Sequence, residues 1–108
     1  MSSSYRSDRG RNRSNHNKQI RAHLVISGKV QGVYFRHNTQ LVASRHNVMG
    51  WVRNLEDGRL EVVLEGGEVE VRNVIEWCRI GPSGAKVEDI SMQYEDYMGE
   101  FKDFKVVF

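Results

Sequence analysis

The chain of 108 residues is 39% hydrophobic, which is enough for one domain with a modest core. A mean hydropathy of -0.58 and the lack of a long apolar run exclude a membrane-spanning helix. Cys78 is the only cysteine, so an intramolecular disulfide and a cysteine-based zinc site are excluded. The first residues lack the apolar segment of a secretory signal. We therefore expect a cytoplasmic protein.

The formal charge of +2 is unevenly distributed along the chain. Residues 1–22 contain six basic residues and one acidic residue, whereas residues 23–108 contain ten basic and thirteen acidic residues. Because the first segment has almost nothing apolar to bury, we expect a disordered basic tail over residues 1–19 and one folded domain over residues 20–108. Such a tail is typical of a solubilising leader, which we favour, or of a tether for nucleic acid or another polyanion.

Short pieces separated by Gly, Asn and Asp make up the first half of the folded part. The apolar spacing of Phe35, Thr39, Val42 and Ala43 is helical, and Asp57-Gly58 is a typical hairpin turn. In chain order, these patterns predict a strand at residues 22–27, a loop at 28–34, a helix at 35–46, and strands at 50–54 and 59–65.

The second half begins with Gly66-Gly67, which we expect to end the third strand. A helix over residues 68–79 and strands over residues 86–94 and 101–108 follow. The order is βαββαβ with one extra edge strand. It predicts an α+β ferredoxin-like sandwich, in which an antiparallel sheet of four or five strands carries two helices on one face.

Residues 28–36 (GKVQGVYFR) lie between the first strand and the first helix, where an anion can bind. Glycines there allow backbone N–H groups to converge, and the helix N-terminus adds partial positive charge. Arg36 adds a permanent cation that can bind two phosphate oxygens at once. Neither a Walker loop nor a dinucleotide G-x-G-x-x-G spacing is present. The segment is a candidate phosphate site, with an ordinary strand-to-helix connection as the alternative.

The same segment resembles a known family. It matches the acylphosphatase signature G-x-V-Q-G-V-x-F-R at every defined position. Residues 50–54 (GWVRN), followed by Asp57-Gly58, resemble the second signature of that family. The resemblance covers about residues 20–108 and leaves the basic tail outside.

This resemblance implies an enzyme that hydrolyses small acyl phosphates to a carboxylate and inorganic phosphate. A small enzyme with its site on one loop does not require a partner, so we expect a monomer. It also implies that no metal or other cofactor is required, and the chain shows no compact cluster of His or carboxylate ligands. By position in the signatures, Arg36 would bind the phosphate and Asn54 would orient the attacking water. The backbone amides of the phosphate cradle would be those of Val30, Gln31, Gly32, Val33 and Tyr34.

Two other functions compete with this one. The first is a ferredoxin-like RNA-binding module with a basic arm, but the third strand is acidic and lacks the aromatic residues that stack bases. The second is an acylphosphatase-like domain that handles carbamoyl phosphate within a larger maturation system. Because no partner domain follows Phe108, we favour a free-standing enzyme.

The remaining reactive side chains are expected to be structural. None of the four histidines has a carboxylate at a spacing that would indicate a catalytic pair, so we expect none of them to act in catalysis. Cys78 falls on the apolar face of the second helix and is expected in the core. Arg53 precedes Asn54 on a strand and is therefore expected to face away from it.

Overall fold

The computed structural model describes residues 18–108. They form β1 (Gln19–Lys29), α1 (Phe35–Arg45), β2 (Met49–Asn54), β3 (Leu60–Gly67), α2 (Glu68–Ile80), β4 (Lys86–Glu95) and β5 (Phe104–Val107). The predicted disordered tail lies outside the described residues, except for its last two positions, and stays a prediction. In the described part, neither helix is both long enough and apolar enough to cross a bilayer.

The five strands form one sheet in the order β4-β1-β3-β2-β5. α1 packs on β2 and β5, α2 packs on β1, β3 and β4, and the two helices contact each other. Strand residues alternate between buried and partly exposed positions, as at Ala22, Leu24 and Ile26 of β1. The core therefore lies between the sheet and the helices, and the predicted ferredoxin-like α+β class is confirmed.

The prediction of an entirely antiparallel sheet is wrong at one edge, because β5 runs parallel to β2. β4 ends at Glu95, which pairs with Arg21 at the start of β1, and β2 also starts at this end of the sheet. Residues 96–103, here called the crossing segment, connect the two edges of the sheet along that end. β5 therefore begins beside Gly50 and runs in the same direction as β2. β5 is also shorter than the predicted strand over residues 101–108.

β1 begins earlier and β3 ends later than predicted, and these two extensions pair with each other. β1 starts at Gln19, and its first residues pair with Gly66 and Gly67. The two glycines therefore continue β3 instead of ending it. At its other end β1 runs on to Lys29, where Gly28 faces β4 so closely that a Cβ would lie 2.1 Å from the Lys86 carbonyl oxygen. Gly28 thus serves strand packing, and the connecting loop is reduced to residues 30–34.

A buried carboxylate holds the crossing segment against the open face of the sheet. The side chain of Glu65 is only 2% exposed. It accepts hydrogen bonds from the backbone N–H groups of Met98 (2.8 Å), Gly99 (3.3 Å) and Glu100 (3.3 Å). Arg21 donates a further bond at 3.2 Å, which pairs the buried charge. Glu65 is therefore the anchor that directs the chain from β4 towards β5.

We predict that Glu65→Ala lowers the free energy of unfolding by about 2–3 kcal/mol, because three backbone donors lose their shared acceptor. Arg21 loses only one of its three carboxylate partners. Urea denaturation measures the change. Glu76→Gln is the matched control, since that exposed carboxylate only pairs with Arg79 three residues along α2. It should change stability by less than about 1 kcal/mol. Equal stability of the Glu65 variant and the wild type would contradict this role.

Candidate active site

Strand register brings the two predicted site segments together. Leu60 of β3 pairs with Ile26 of β1 on one side and with Asn54 of β2 on the other. The carboxyl ends of β1 and β2 therefore lie at the same end of the sheet, although the two strands are not neighbours. The loop that follows β1 and the residue that ends β2 consequently line one pocket of about 520 Å³.

The loop of residues 30–34 presents unbonded backbone donors. The first bond of α1 runs from the Asn38 N–H to the Tyr34 carbonyl at 3.0 Å, so the helix does not use the amides before it. Within residues 18–108, the N–H groups of the loop donate no hydrogen bond. Gly32 (φ 75°) and Tyr34 (φ 60°) both adopt left-handed backbone conformations. For a bulky residue such as Tyr34 this conformation is costly, which is typical of functional loops.

Of the five predicted cradle residues, Val30, Gly32 and Tyr34 line the pocket. Val33 packs against the hydrophobic core instead. The Gln31 side chain turns towards the β2–β3 hairpin, where its Nε2 donates to the carbonyl oxygens of Leu55 (2.8 Å) and Arg59 (3.0 Å). Gln31 thereby ties the loop to the hairpin that begins directly after Asn54.

Arg36 lies in the first turn of α1 and lines the pocket. It pairs with no carboxylate in the described part of the chain, unlike Arg21, Arg53 and Arg59. Its guanidinium carbon instead lies 4.6 Å from the centre of the Phe108 ring. Stacking covers a face of the guanidinium group and leaves its N–H edge free, so Arg36 can still bind two oxygens of an anion.

Asn54 contributes an unused acceptor to the same pocket. Among residues 18–108, its Oδ1 is the one buried side-chain oxygen or nitrogen without a hydrogen-bond partner. A buried polar atom without a partner is costly, and such atoms are rare in folded proteins. The amide is therefore suited to hold a water or a substrate group in the pocket that Arg36 also lines.

Sequence reasoning missed five residues that line the pocket: Phe35, His37, Gln40, Val106 and Phe108. His37 follows Arg36 on α1. The only sequence feature that could have indicated its place in the pocket is its position next to a signature residue. Gln40 joins α1 to β5 by donating to the Phe104 carbonyl at 3.1 Å. Nothing in the sequence placed β5 beside α1, because that contact depends on the crossing segment.

Three other reactive side chains, those of Arg53, His23 and Cys78, do not line the pocket. Arg53 faces the open side of the sheet, where it donates to Glu61 at 2.7 Å, and His23 lies 2.7 Å from the same carboxylate. Burial alone would raise the pKa of Glu61, but the bonds from His23 and Arg53 hold it below its usual range. Burial raises the pKa of the Cys78 thiol to about 12, which makes it inert and confirms its expected place in the core.

Groups of three or more His, Cys, Asp or Glu side chains placed to hold a metal ion do not occur within residues 18–108. No acidic side chain lines the pocket, and Arg36 is the one permanently charged side chain in its lining. The electrostatics of the pocket therefore favour an anion.

A family model described as Acylphosphatase matches residues 22–106. The chain is 59% identical over 91 residues to an acylphosphatase of Pyrobaculum aerophilum, and the match covers 83% of this chain and 96% of that protein. Among solved structures, the acylphosphatase of Bacillus subtilis superposes with a TM-score of 0.80 at 32% identity. That superposition covers 82% of this chain and 99% of the other.

A second structural relative is part of a much larger protein. Full-length HypF, solved in a phosphate- and nucleotide-bound form, superposes with a TM-score of 0.75 at 27% identity. This match covers 85% of the present chain but only 12% of HypF. The matches at close to full length are with stand-alone acylphosphatases. On the family match and these identities, the chain belongs to the acylphosphatase family.

Proposed function

We propose that this protein is an acylphosphatase that hydrolyses the carboxyl–phosphate bond of small acyl phosphates, with Arg36 binding the phosphoryl group and Asn54 orienting the attacking water. One observation carries the assignment of roles. An unpaired arginine, three loop residues whose amides are unbonded and an asparagine with an unpartnered amide oxygen line one pocket. Family membership supports the reaction itself.

Hydrolysis of an acyl phosphate depends on the placement of the water and on stabilisation of the phosphoryl charge more than on a strong base. An acyl phosphate is a mixed anhydride, so its carboxylate leaves readily. Water attacks phosphorus, the bond from phosphorus to the acyl oxygen breaks, and the products are a carboxylate and inorganic phosphate. One proton of the water passes to the phosphate or to solvent, because an asparagine amide has no useful basicity at neutral pH.

Each group of the pocket then has a distinct task. Arg36 and the amides of residues 30–34 bind the non-bridging oxygens and stabilise the charge that spreads over them in the transition state. Asn54 accepts a hydrogen bond from the water at Oδ1 and so holds it in line with the bond that breaks. Such positioning can contribute roughly 7–11 kcal/mol to catalysis.

The two competing functions have less support. The nucleic-acid-binding alternative is not supported by the family match or by the structural relatives. The open face of β3 is largely buried, its Glu61 is paired with Arg53 and His23, and the strand has no aromatic residue on which a base could stack. The alternative of a domain within a larger protein has the partial superpositions on HypF behind it, whereas the acylphosphatases match over nearly their whole length.

We further propose a cytoplasmic monomer. The pocket is built from α1, β2, β5 and their loops within one chain, so a second copy is not needed to complete it. The fold requires no disulfide, since the single cysteine is buried in the core. Both features suit a small enzyme of a reducing compartment.

A benzoyl phosphate hydrolysis assay with EDTA present tests the function and its metal independence together. Steady release of benzoate and inorganic phosphate at an undiminished rate is the expected result. Activity that appears only after a divalent cation is restored would refute metal independence. If benzoyl phosphate were hydrolysed neither with EDTA nor with a divalent cation, the proposed reaction would be refuted.

We predict that Arg36→Ala lowers kcat/KM for benzoyl phosphate by about 10²–10³-fold and weakens inhibition by inorganic phosphate, because the transferring group loses its permanent cation. Arg36→Lys should recover only part of the loss, since lysine lacks the planar pair of donors. Arg45→Ala, an exposed arginine at the other end of α1, is the control and should match the wild type. An Arg36→Ala enzyme of normal kcat/KM would rule out this role.

Asn54→Ala should lower kcat about a hundredfold, because the water is no longer held in line. Inhibition by inorganic phosphate should be nearly unchanged, since the loop amides and Arg36 remain. Steady-state kinetics with phosphate as a competitor separates the two effects. If phosphate inhibition were lost together with kcat, Asn54 would be a phosphate-binding residue and its assigned role would be wrong.

The two hydrogen bonds from the Gln31 side chain hold the loop to the hairpin beside Asn54. We predict that Gln31→Ala lowers kcat about tenfold, because it removes both bonds. The unfolding free energy should fall by only about 1–2 kcal/mol. Gln93→Ala on the exposed strand β4 is the matched control for removal of a glutamine side chain. An unchanged kcat with lowered stability would mean that Gln31 is structural only.

A further inference from the structure

The outer wall of the pocket is aromatic. Tyr34 and Phe108 both line it, yet these residues are 79% and 97% exposed. Val106 of β5, which packs against the hydrophobic core, also lines the pocket. A single exposed aromatic residue needs no explanation, but two at the mouth of one pocket form an apolar surface that a ligand can cover.

The position of Phe108 relative to Arg36 indicates what would cover that surface. The Phe108 ring lies on the Arg36 guanidinium group, 4.6 Å from its central carbon. A phosphoryl group bound at the N–H edge of Arg36 must therefore lie beside the ring. The acyl group attached to that phosphoryl group is then within reach of Phe108 and of the pocket mouth.

The size and charge of the pocket restrict the acyl group further. Pockets of roughly 300–1,000 Å³ accommodate whole small-molecule ligands, so the 520 Å³ available here exceeds the needs of a phosphate alone. No lysine and no second arginine lines the pocket. Once Arg36 is engaged with the phosphoryl group, no permanent cation in the lining is left to bind an anionic acyl group.

We propose that Phe108 and Tyr34 form an acyl-binding wall that makes the enzyme prefer acyl phosphates with flat, apolar acyl groups over those with small or anionic ones. This inference rests on the proposed acylphosphatase function and assigns its substrate class. Aromatic contacts of this kind typically change relative rates by about three- to tenfold.

The test compares kcat/KM for benzoyl phosphate and acetyl phosphate in the wild type, Phe108→Ala, Phe108→Leu and Tyr34→Ala. Because benzoate and acetate differ as leaving groups, the relevant quantity is the change in the benzoyl-to-acetyl ratio relative to the wild type. We expect this ratio to fall about three- to tenfold in Phe108→Ala and Tyr34→Ala, and less in Phe108→Leu, which keeps apolar area. Tyr94→Ala removes an exposed tyrosine from β4 at the opposite edge of the sheet and should leave the ratio unchanged.

Inhibition by phenylphosphonate and methylphosphonate gives a second reading that does not depend on turnover. The ratio of their inhibition constants should show the same loss of preference for the phenyl compound in Phe108→Ala. Equal losses for both substrates and both inhibitors would overturn the proposal, because Phe108 would then act only through Arg36. If the wild type hydrolysed neither substrate, the proposed function itself would fail. Turnover of both with unaltered ratios would refute the acyl-binding wall alone.

Discussion

The site depends on one constraint of the sheet, the register in which Leu60 of β3 pairs with both Ile26 and Asn54. A shift by one residue would turn Asn54 to the opposite face and leave Arg36 without its neighbour. The Gln31 side chain reinforces the alignment, since it ties the loop after β1 to the hairpin after β2. The geometry of the pocket is thus set by backbone pairing between strands that also carry the core.

The groups that define the pocket are those the fold leaves unsatisfied. Most arginines described here pair with carboxylates, whereas Arg36 lies against an aromatic ring. The loop amides and Asn54 Oδ1 also lack partners in the described part of the chain. Leaving polar groups unpaired reduces stability, and proteins tolerate this mainly where a ligand supplies the partner. On the open face of the sheet, by contrast, the buried Glu65 carboxylate has its hydrogen-bond partners within the chain.

Much of the fold could be predicted from local patterns. The helix boundaries differ from the structure by one residue, and the Asp57-Gly58 turn forms as expected with Gly58 at φ 95°. The errors arose where distant segments decide the outcome. Gly66 and Gly67 remain in a strand because the start of β1 pairs with them. The direction of β5 follows from a crossing segment that Glu65 anchors from elsewhere in the sheet.

By itself, the sequence determined the phosphate-site candidate, since loop glycines and Arg36 at a helix start are local features, and its two signatures indicated the family. Only the tertiary structure decided which groups meet: Asn54 beside the loop, Gln31 on the hairpin, and Phe108 on Arg36. The physical reason is that these contacts cross strands distant in sequence. Register and chain crossing are properties of the whole sheet, which no local pattern encodes.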